Sequence, residues 1–438
     1  MHILKKQTNI MVIIASTILI LLGTYSKIFS LLAAVPILYL FMVLDEFSIL
    51  CLLCYLMPFA SIFKISPESQ SFFTIFELLF CVMHFVKNNM KTNKINVFII
   101  LFGIYLVVIE ILNGGINISA TIKMVTNLLV LSFATSFNTE KGYRRLSLYY
   151  IYGIVISSIV GLFDSNIFHI RDYIGVTEQR IGDEFIMRFS GLYSDPNYYT
   201  VNIIIALCLL INLYNRKEVS LKFTSFLSIL LVVFSALTGS KSALLMLAIP
   251  MLLFLYTCKK TKHYGVLFIS ICAFVICLFL IFTNQITIFS STIDRIKGTT
   301  SMATLTTGRT SIWGDYLNYF NSHLGMLIIG HGINNVSLNG LMAHNTYIDM
   351  LFQMGIIGAF LLVVLLSAIF YTKKEKIKHN FSNYSVIISL LLMYFFLSEL
   401  QYYDVVFHLI MSYFTLNVYL DSCSVKRNFI KVEDAIKC

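Results

Sequence analysis

Apolar residues in this chain come in blocks of about 16 to 20, repeated along nearly its whole length. A helix of that length is what crossing a ~30 Å hydrocarbon core requires. No soluble domain of useful size is left between the blocks, so a single membrane domain over 1–438 accounts for the chain. Composition agrees with this. Hydrophobic residues make up 58% and charged residues 12%, with a mean hydropathy of +0.82, whereas soluble domains carry about 25% charged residues. The net charge of +10 does not point to nucleic acid. Its basic residues sit in short clusters between apolar blocks, where they orient membrane helices.

The apolar runs predict an all-α polytopic protein of about fourteen transmembrane helices: 9–24, 28–44, 47–63, 72–86, 95–112, 118–136, 146–163, 198–214, 221–237, 241–257, 264–282, 345–371, 383–398 and 403–420. The first resembles a signal peptide, but thirteen spans follow and no small-x-small cleavage site is visible, so it reads as retained. With the N-terminus inside, the cytoplasmic segments hold 22 of the 32 Lys and Arg residues. The outer segments and outer helix ends hold Lys27, Lys64, Lys123, Arg171, Arg180, Arg188, Lys241, Arg295, Lys297 and Arg309. Every multi-charge loop therefore obeys the positive-inside rule, and both termini are predicted to be cytoplasmic. The nine cysteines lie in apolar blocks or on the cytoplasmic side, so no disulfide is expected. The Cys51-x-x-Cys54 pair reads as packing rather than a metal site.

Two outer loops, 164–197 and 283–344, are too long to be simple connectors. In the second, Ile312, Tyr316, Tyr319 and Phe320 recur at helical spacing, and Trp313 is the only tryptophan. They predict a short helix on the membrane surface, which either meets a ligand or only caps the bundle. Ionisable residues within the spans concentrate towards the outer side: Glu77, Glu110, Lys123, Lys241, Asp349, Glu399 and Asp404. Such residues are costly in a bilayer and mark candidate sites, though Glu77 or Glu110 with Lys123 could equally be a buried structural pair. Arg171, Arg180, Arg188, Lys241 and Arg309 run against the inward bias of positive charge. They would form an outer cationic bowl suited to a pyrophosphate, an anionic headgroup or an acidic sugar.

Three motifs lie at that face. Arg188-Phe-Ser-Gly-Leu-Tyr-Ser-Asp195-Pro-Asn197 precedes the eighth span. Turn chemistry explains its Asp-Pro-Asn but not its arginine. Thr238-Gly-Ser-Lys241-Ser opens a helix with a cation, which the helix dipole disfavours unless an anion is present. Gly308-Arg309-Thr-Ser-Ile-Trp313 is followed by Gly330-His-Gly332 and then by His344-Asn345, with Gly355 and Gly358 downstream. No His/Asp/Glu cluster at the outer face has the spacing of a metal site, so neither a metal nor another cofactor is expected.

In this order, over roughly 188–360, the motifs resemble the O-antigen ligase and polymerase family (Wzy-like and WaaL-like proteins). The family usually has Arg where this chain has Lys241, which keeps the charge but loses bidentate geometry. The resemblance implies a GT-C-like membrane glycosyltransferase in the bacterial plasma (inner) membrane. Its donor would be a glycan on undecaprenyl pyrophosphate, used at the outer face. His344 would be the general base, while Arg309, Lys241 and Arg188 would hold the pyrophosphate. Arg171, Arg180, Asp195, Asn197, Trp313 and Asn345 would line the substrate site. With no extra soluble acceptor domain, polymerisation of repeat units is favoured over ligation to another acceptor, with a flippase and a chain-length regulator as expected partners. A transporter of lipid-linked sugars is the competing class, but charges at one face and two long outer loops fit it less well than midplane charges on broken helices would.

Overall fold

The computed structural model describes residues 2–88, 93–115, 118–163, 169–175, 178–181, 184–262, 308–335, 337–371, 380–397 and 404–418. Nearly all of the regular structure is helical. In chain order the helices are α1 (His2–Leu22), α2 (Lys27–Val43), α3 (Glu46–Leu56), α4 (Phe72–Lys87), α5 (Lys94–Leu112), α6 (Ile118–Ala134) and α7 (Thr139–Gly161). After the short α8 (Ile170–Ile174) comes an antiparallel ribbon, β1 (Glu178–Ile181) with β2 (Glu184–Met187), in which Arg180 stands opposite Phe185. Then follow α9 (Pro196–Asn215), α10 (Leu221–Leu237), α11 (Lys241–Lys260), α12 (Arg309–Ser322), α13 (Leu324–Ile329), α14 (Thr346–Tyr371), α15 (Phe381–Tyr394) and α16 (Asp404–Asn417).

Thirteen of the fourteen predicted spans coincide with helices, most ending within a few residues of the expected position; 264–282 lies outside the described residues. The helix starts follow from capping. The side chains of Asp45, Ser71, Asn93, Asn138, Asp195, Ser220 and Ser240 each accept a backbone N–H from the first turn of the helix they precede. Such caps satisfy N–H groups that have no partner within the helix. The number of crossings is a different matter. Among the described residues, α5, α9, α11 and α14 are long and apolar enough to cross a membrane by themselves, and six other apolar helices are shorter. The span expected at 47–63 is one that is cut short. Its α-helix stops at Leu56 and continues as a single 3-10 turn, Met57–Phe59, around Pro58, which has no N–H to give.

α9 is the axis of the bundle, packed by α7, α10, α11, α15 and α16. Its apolar window is 89% buried, against 39% for each of α5, α11 and α14, so those three keep a broad face for lipid. Several polar groups within the bundle are paired. Asn202 on α9 donates to Asp404 Oδ2 at 2.8 Å, while its Oδ1 accepts from Tyr150 Oη at 2.8 Å and is 2.9 Å from His408 Nε2. Glu77 acts electrostatically on Lys123. Glu110 does something else: its Oε1 accepts the Asn334 N–H at 2.9 Å and its carboxylate lies against Gly332. Cys51, Cys54, Cys81, Cys208 and Cys258 are buried and free.

The long span expected at 345–371 is helical at both ends but broken in the middle. Gly355 has φ 65° and ψ −179°. The carbonyls released by the break are taken up by the Gly330-His-Gly332 segment and by Tyr105. His331 N donates to Phe352 O at 2.9 Å, Gly332 N to Gln353 O at 2.8 Å and Tyr105 Oη to Met354 O at 3.0 Å. Broken backbone within a membrane protein requires such replacements.

Candidate active site

Four helix starts and one helix end meet at one end of the bundle: the N-termini of α9, α11, α12 and α14, and the residues after α15. Asp195 caps α9, its Oδ1 accepting the Asn197 N–H at 2.6 Å. The adjacent Asn197 side chain ties two motifs together. Its Oδ1 accepts from Arg188 Nη2 at 3.3 Å and from Ser240 Oγ at 2.7 Å. Arg188 Nε donates to Thr238 O at 2.8 Å. The Arg188 guanidinium is thus clamped between the start of α9 and the α10–α11 turn. Lys241 is the first residue of α11, half-buried, with Ser240 as cap. Gly191 makes this geometry possible: its φ is +58°, and Tyr199 and Gly161 crowd it.

The second half of the site comes from α12 and α14. Gly308, with φ +80°, precedes Arg309, whose Nη1 donates to Phe396 O at 2.8 Å. Thr346, at the start of α14, donates to Leu397 O at 2.5 Å. The 395–397 turn therefore holds both Arg309 and the residues after His344. Trp313 donates from Nε1 to Ala343 O at 2.8 Å and packs edge-on against Phe395, with ring centroids 5.3 Å apart. Asn345 is a helix cap, its Oδ1 receiving the N–H groups of Tyr347 and Ile348. His344, just before it, has φ 49°. A left-handed conformation is uncommon for a residue with a side chain and is held here by contacts on both flanks.

Electrostatics join the two halves. Burial pushes the His344 imidazole below its usual pKa, the Arg309 guanidinium pushes it the same way, and the Asp195 carboxylate opposes both. Burial also lowers Arg309, with Asp195 and Tyr198 pulling it back. Arg309 stays cationic at neutral pH and His344 is mainly neutral. A neutral imidazole beside a fixed guanidinium can accept a proton from a hydroxyl while an anion rests on the cation.

Of the residues singled out in the sequence, Arg188, Asp195, Asn197, Lys241, Arg309, Trp313, His344 and Asn345 fall on these converging elements. Arg171 lies on α8, which sits at another set of elements: Tyr173 donates to Gly23 O at 3.2 Å and His169 packs on Tyr25. Arg180 is on β1, and its side chain lies outside the description, as do Arg295, Lys297 and Glu399. The residues the sequence did not flag are Ser240 as a link to Asn197, Thr346, Tyr198, and the backbone carbonyls of Phe396 and Leu397.

Among the described residues, a helical bundle with apolar helices long enough to cross a membrane gathers Arg188, Lys241, Arg309 and the His344 imidazole at one end. The family model described as O-antigen ligase matches residues 226–363, which supports placing the chain in the O-antigen ligase/polymerase family. That stretch contains Lys241, Arg309 and His344 but begins downstream of Arg188 and Asn197. No curated protein and no solved structure matches the chain.

Proposed function

We propose that this protein is a membrane glycosyltransferase that joins oligosaccharide repeat units, carried on undecaprenyl pyrophosphate, into a surface polysaccharide at the outer face of the bacterial plasma membrane. The observation that carries this reading is the convergence of helix starts that brings Arg188, Asn197 and Ser240 into one hydrogen-bonded group and holds Arg309 and Thr346 on the 396–397 carbonyls, with Arg309 and Asp195 acting electrostatically on His344. In the proposed step His344 takes the proton of an acceptor hydroxyl. The freed oxygen forms a bond to the anomeric carbon of the donor, and the bond from that carbon to pyrophosphate breaks. The leaving pyrophosphate carries the electron pair and is stabilised by Arg309, Lys241 and Arg188. Trp313, Asn197 and Asn345, which lie on the converging elements, would border the sugars. A flippase supplying donors and a chain-length regulator would be its partners.

The matched family is described by its ligases, so a second reading is transfer of a finished glycan to a different acceptor. One complementation experiment separates the two and tests the chemistry. In cells lacking the native copy, His344→Ala at normal protein level should lower polymer formation by about 10²–10⁴-fold, with single lipid-linked repeat units accumulating. Arg309→Ala should be as damaging, while Lys241→Arg retains activity. Accumulation of long polymer still attached to its lipid would instead establish the ligase reading. Normal surface polymer in the His344→Ala strain would sink the general-base role.

A further inference from the structure

At the other end of the bundle from the candidate active site, a cavity of about 700 Å³ opens between the start of α1, the α2–α3 turn and the first turns of α7. Its inner wall is apolar, with Ile13, Leu52 and Leu148, and its mouth carries Lys141, Arg144 and Arg145. All three cations are exposed. Asp45 also lines the cavity and interacts with Arg145, but its carboxylate is already taken by Ser48 N at 2.8 Å and Ser48 Oγ at 2.6 Å. Three cations against one engaged carboxylate leave the mouth positive. The volume lies within the about 300–1,000 Å³ of small-ligand pockets.

Two further observations define the occupant. Lys141 and Gly161 lie on the same helix, roughly 30 Å apart at 1.5 Å per residue, and Gly161 packs on Gly191 beside the candidate active site. The cavity therefore lies at the opposite membrane surface and cannot be an extension of that site. Its apolar wall comes from within α1, α3 and α7, while its cations stand in the first turns of α7. A molecule with an anionic head and an apolar tail matches both parts.

We propose that this cavity binds an anionic phospholipid of the cytoplasmic leaflet, its phosphate on Arg144, Arg145 and Lys141 and the upper part of an acyl chain against Ile13, Leu52 and Leu148. Basic residues at the anionic inner surface attract such lipids, and a cavity adds a defined seat to that diffuse attraction. By bridging α1 to α7 the lipid would hold the N-terminal helix against the bundle.

The test is lipid retention by the purified full-length chain, delipidated in mild detergent and titrated with phosphatidylglycerol or phosphatidylcholine under native mass spectrometry. Phosphatidylglycerol should bind at least about tenfold more tightly. The double change Arg144→Ala with Arg145→Ala should weaken it about 30-fold, whereas Arg144→Lys with Arg145→Lys should largely preserve it. Ile13→Trp fills the apolar part without altering charge and should also weaken retention, which diffuse attraction to the surface would not predict. This arm keeps the test decisive if the double alanine variant fails to elute as a single species. Equal retention of the two lipids, or no effect of Ile13→Trp, overturns the proposal. So does displacement by glycerol 3-phosphate at the same concentration as the lipid, because the ligand would then be a free phosphate.

Discussion

Asp195 has two duties that pull on one carboxylate. As the cap of α9 it needs only an oxygen acceptor, which Asn supplies about as well as Asp. As a charge near His344 and Arg309 it raises the imidazole against the effects of burial and of Arg309. Asp195→Asn should therefore keep the helix start and remove only the charge. With the opposing influence gone, His344 should titrate at a lower pH than in the parent. If the neutral imidazole is the base, the acid limb of the pH–rate profile moves to lower pH in Asp195→Asn, while the maximum rate at neutral pH changes less. An acid limb that stays put or moves upward would separate His344 from the rate-limiting proton transfer. The residues on which this rests were legible in the sequence because each carries a cost that pattern alone does not explain: an arginine before a turn, a lysine at a helix start, a histidine where a helix re-enters. Their anchors were not. Arg309 and Thr346 bind the carbonyls of Phe396 and Leu397, and a backbone carbonyl leaves no signature in side-chain identity.

At the scale of elements, helix positions were readable and continuity was not. Length and hydropathy predict 345–371 as one uninterrupted span, since every residue around Gly355 is apolar or small except Gln353. The break depends on a partner far away in sequence, the 330–332 segment, which occupies the hydrogen bonds the helix gives up. Gly355 is required for two separate reasons. Its φ and ψ belong to a region essentially restricted to glycine, costing about 1–3 kcal/mol for other residues. A Cβ there would also stand 2.3 Å from Ile328 O. Gly355→Ala should thus lower the Tm of the detergent-solubilised protein and loosen the 324–332 segment, as seen by faster backbone hydrogen exchange there. Gly314, within α12, has open space where a Cβ would go, so Gly314→Ala should leave the Tm unchanged or slightly higher. Equal losses for the two changes would mean that α14 does not depend on the break.

For the molecule as a whole, the two ends of the bundle are distinguishable by charge before any chemistry is assigned. One end holds the converging motifs. The other gathers Lys141, Arg144 and Arg145 at the start of α7 and the Arg216–Glu140 and His84–Glu46 pairs, at 2.9 and 2.8 Å. α4 runs between them. Phe73 near its start packs on Phe407, close to the start of α16, with ring centroids 5.7 Å apart, while His84 near its end stacks on Phe133 at 4.2 Å, close to the end of α6. The positive-inside rule predicts a cytoplasmic basic end; in that orientation a donor on a lipid pyrophosphate would meet His344 at the outer leaflet. Residues flanking α4 can test this directly. Glu68 and Asn88 are both exposed, one at each end, and the described native cysteines are buried. Glu68→Cys should react with a membrane-impermeant maleimide in intact cells, above the background of the parent chain. Asn88→Cys should react only once the membrane is permeabilised. The reverse pattern would put His344 and Arg309 in the cytoplasm, where their helix starts would face water without access to an outer-leaflet donor, and the proposed transfer would have to be abandoned even if both residues proved essential.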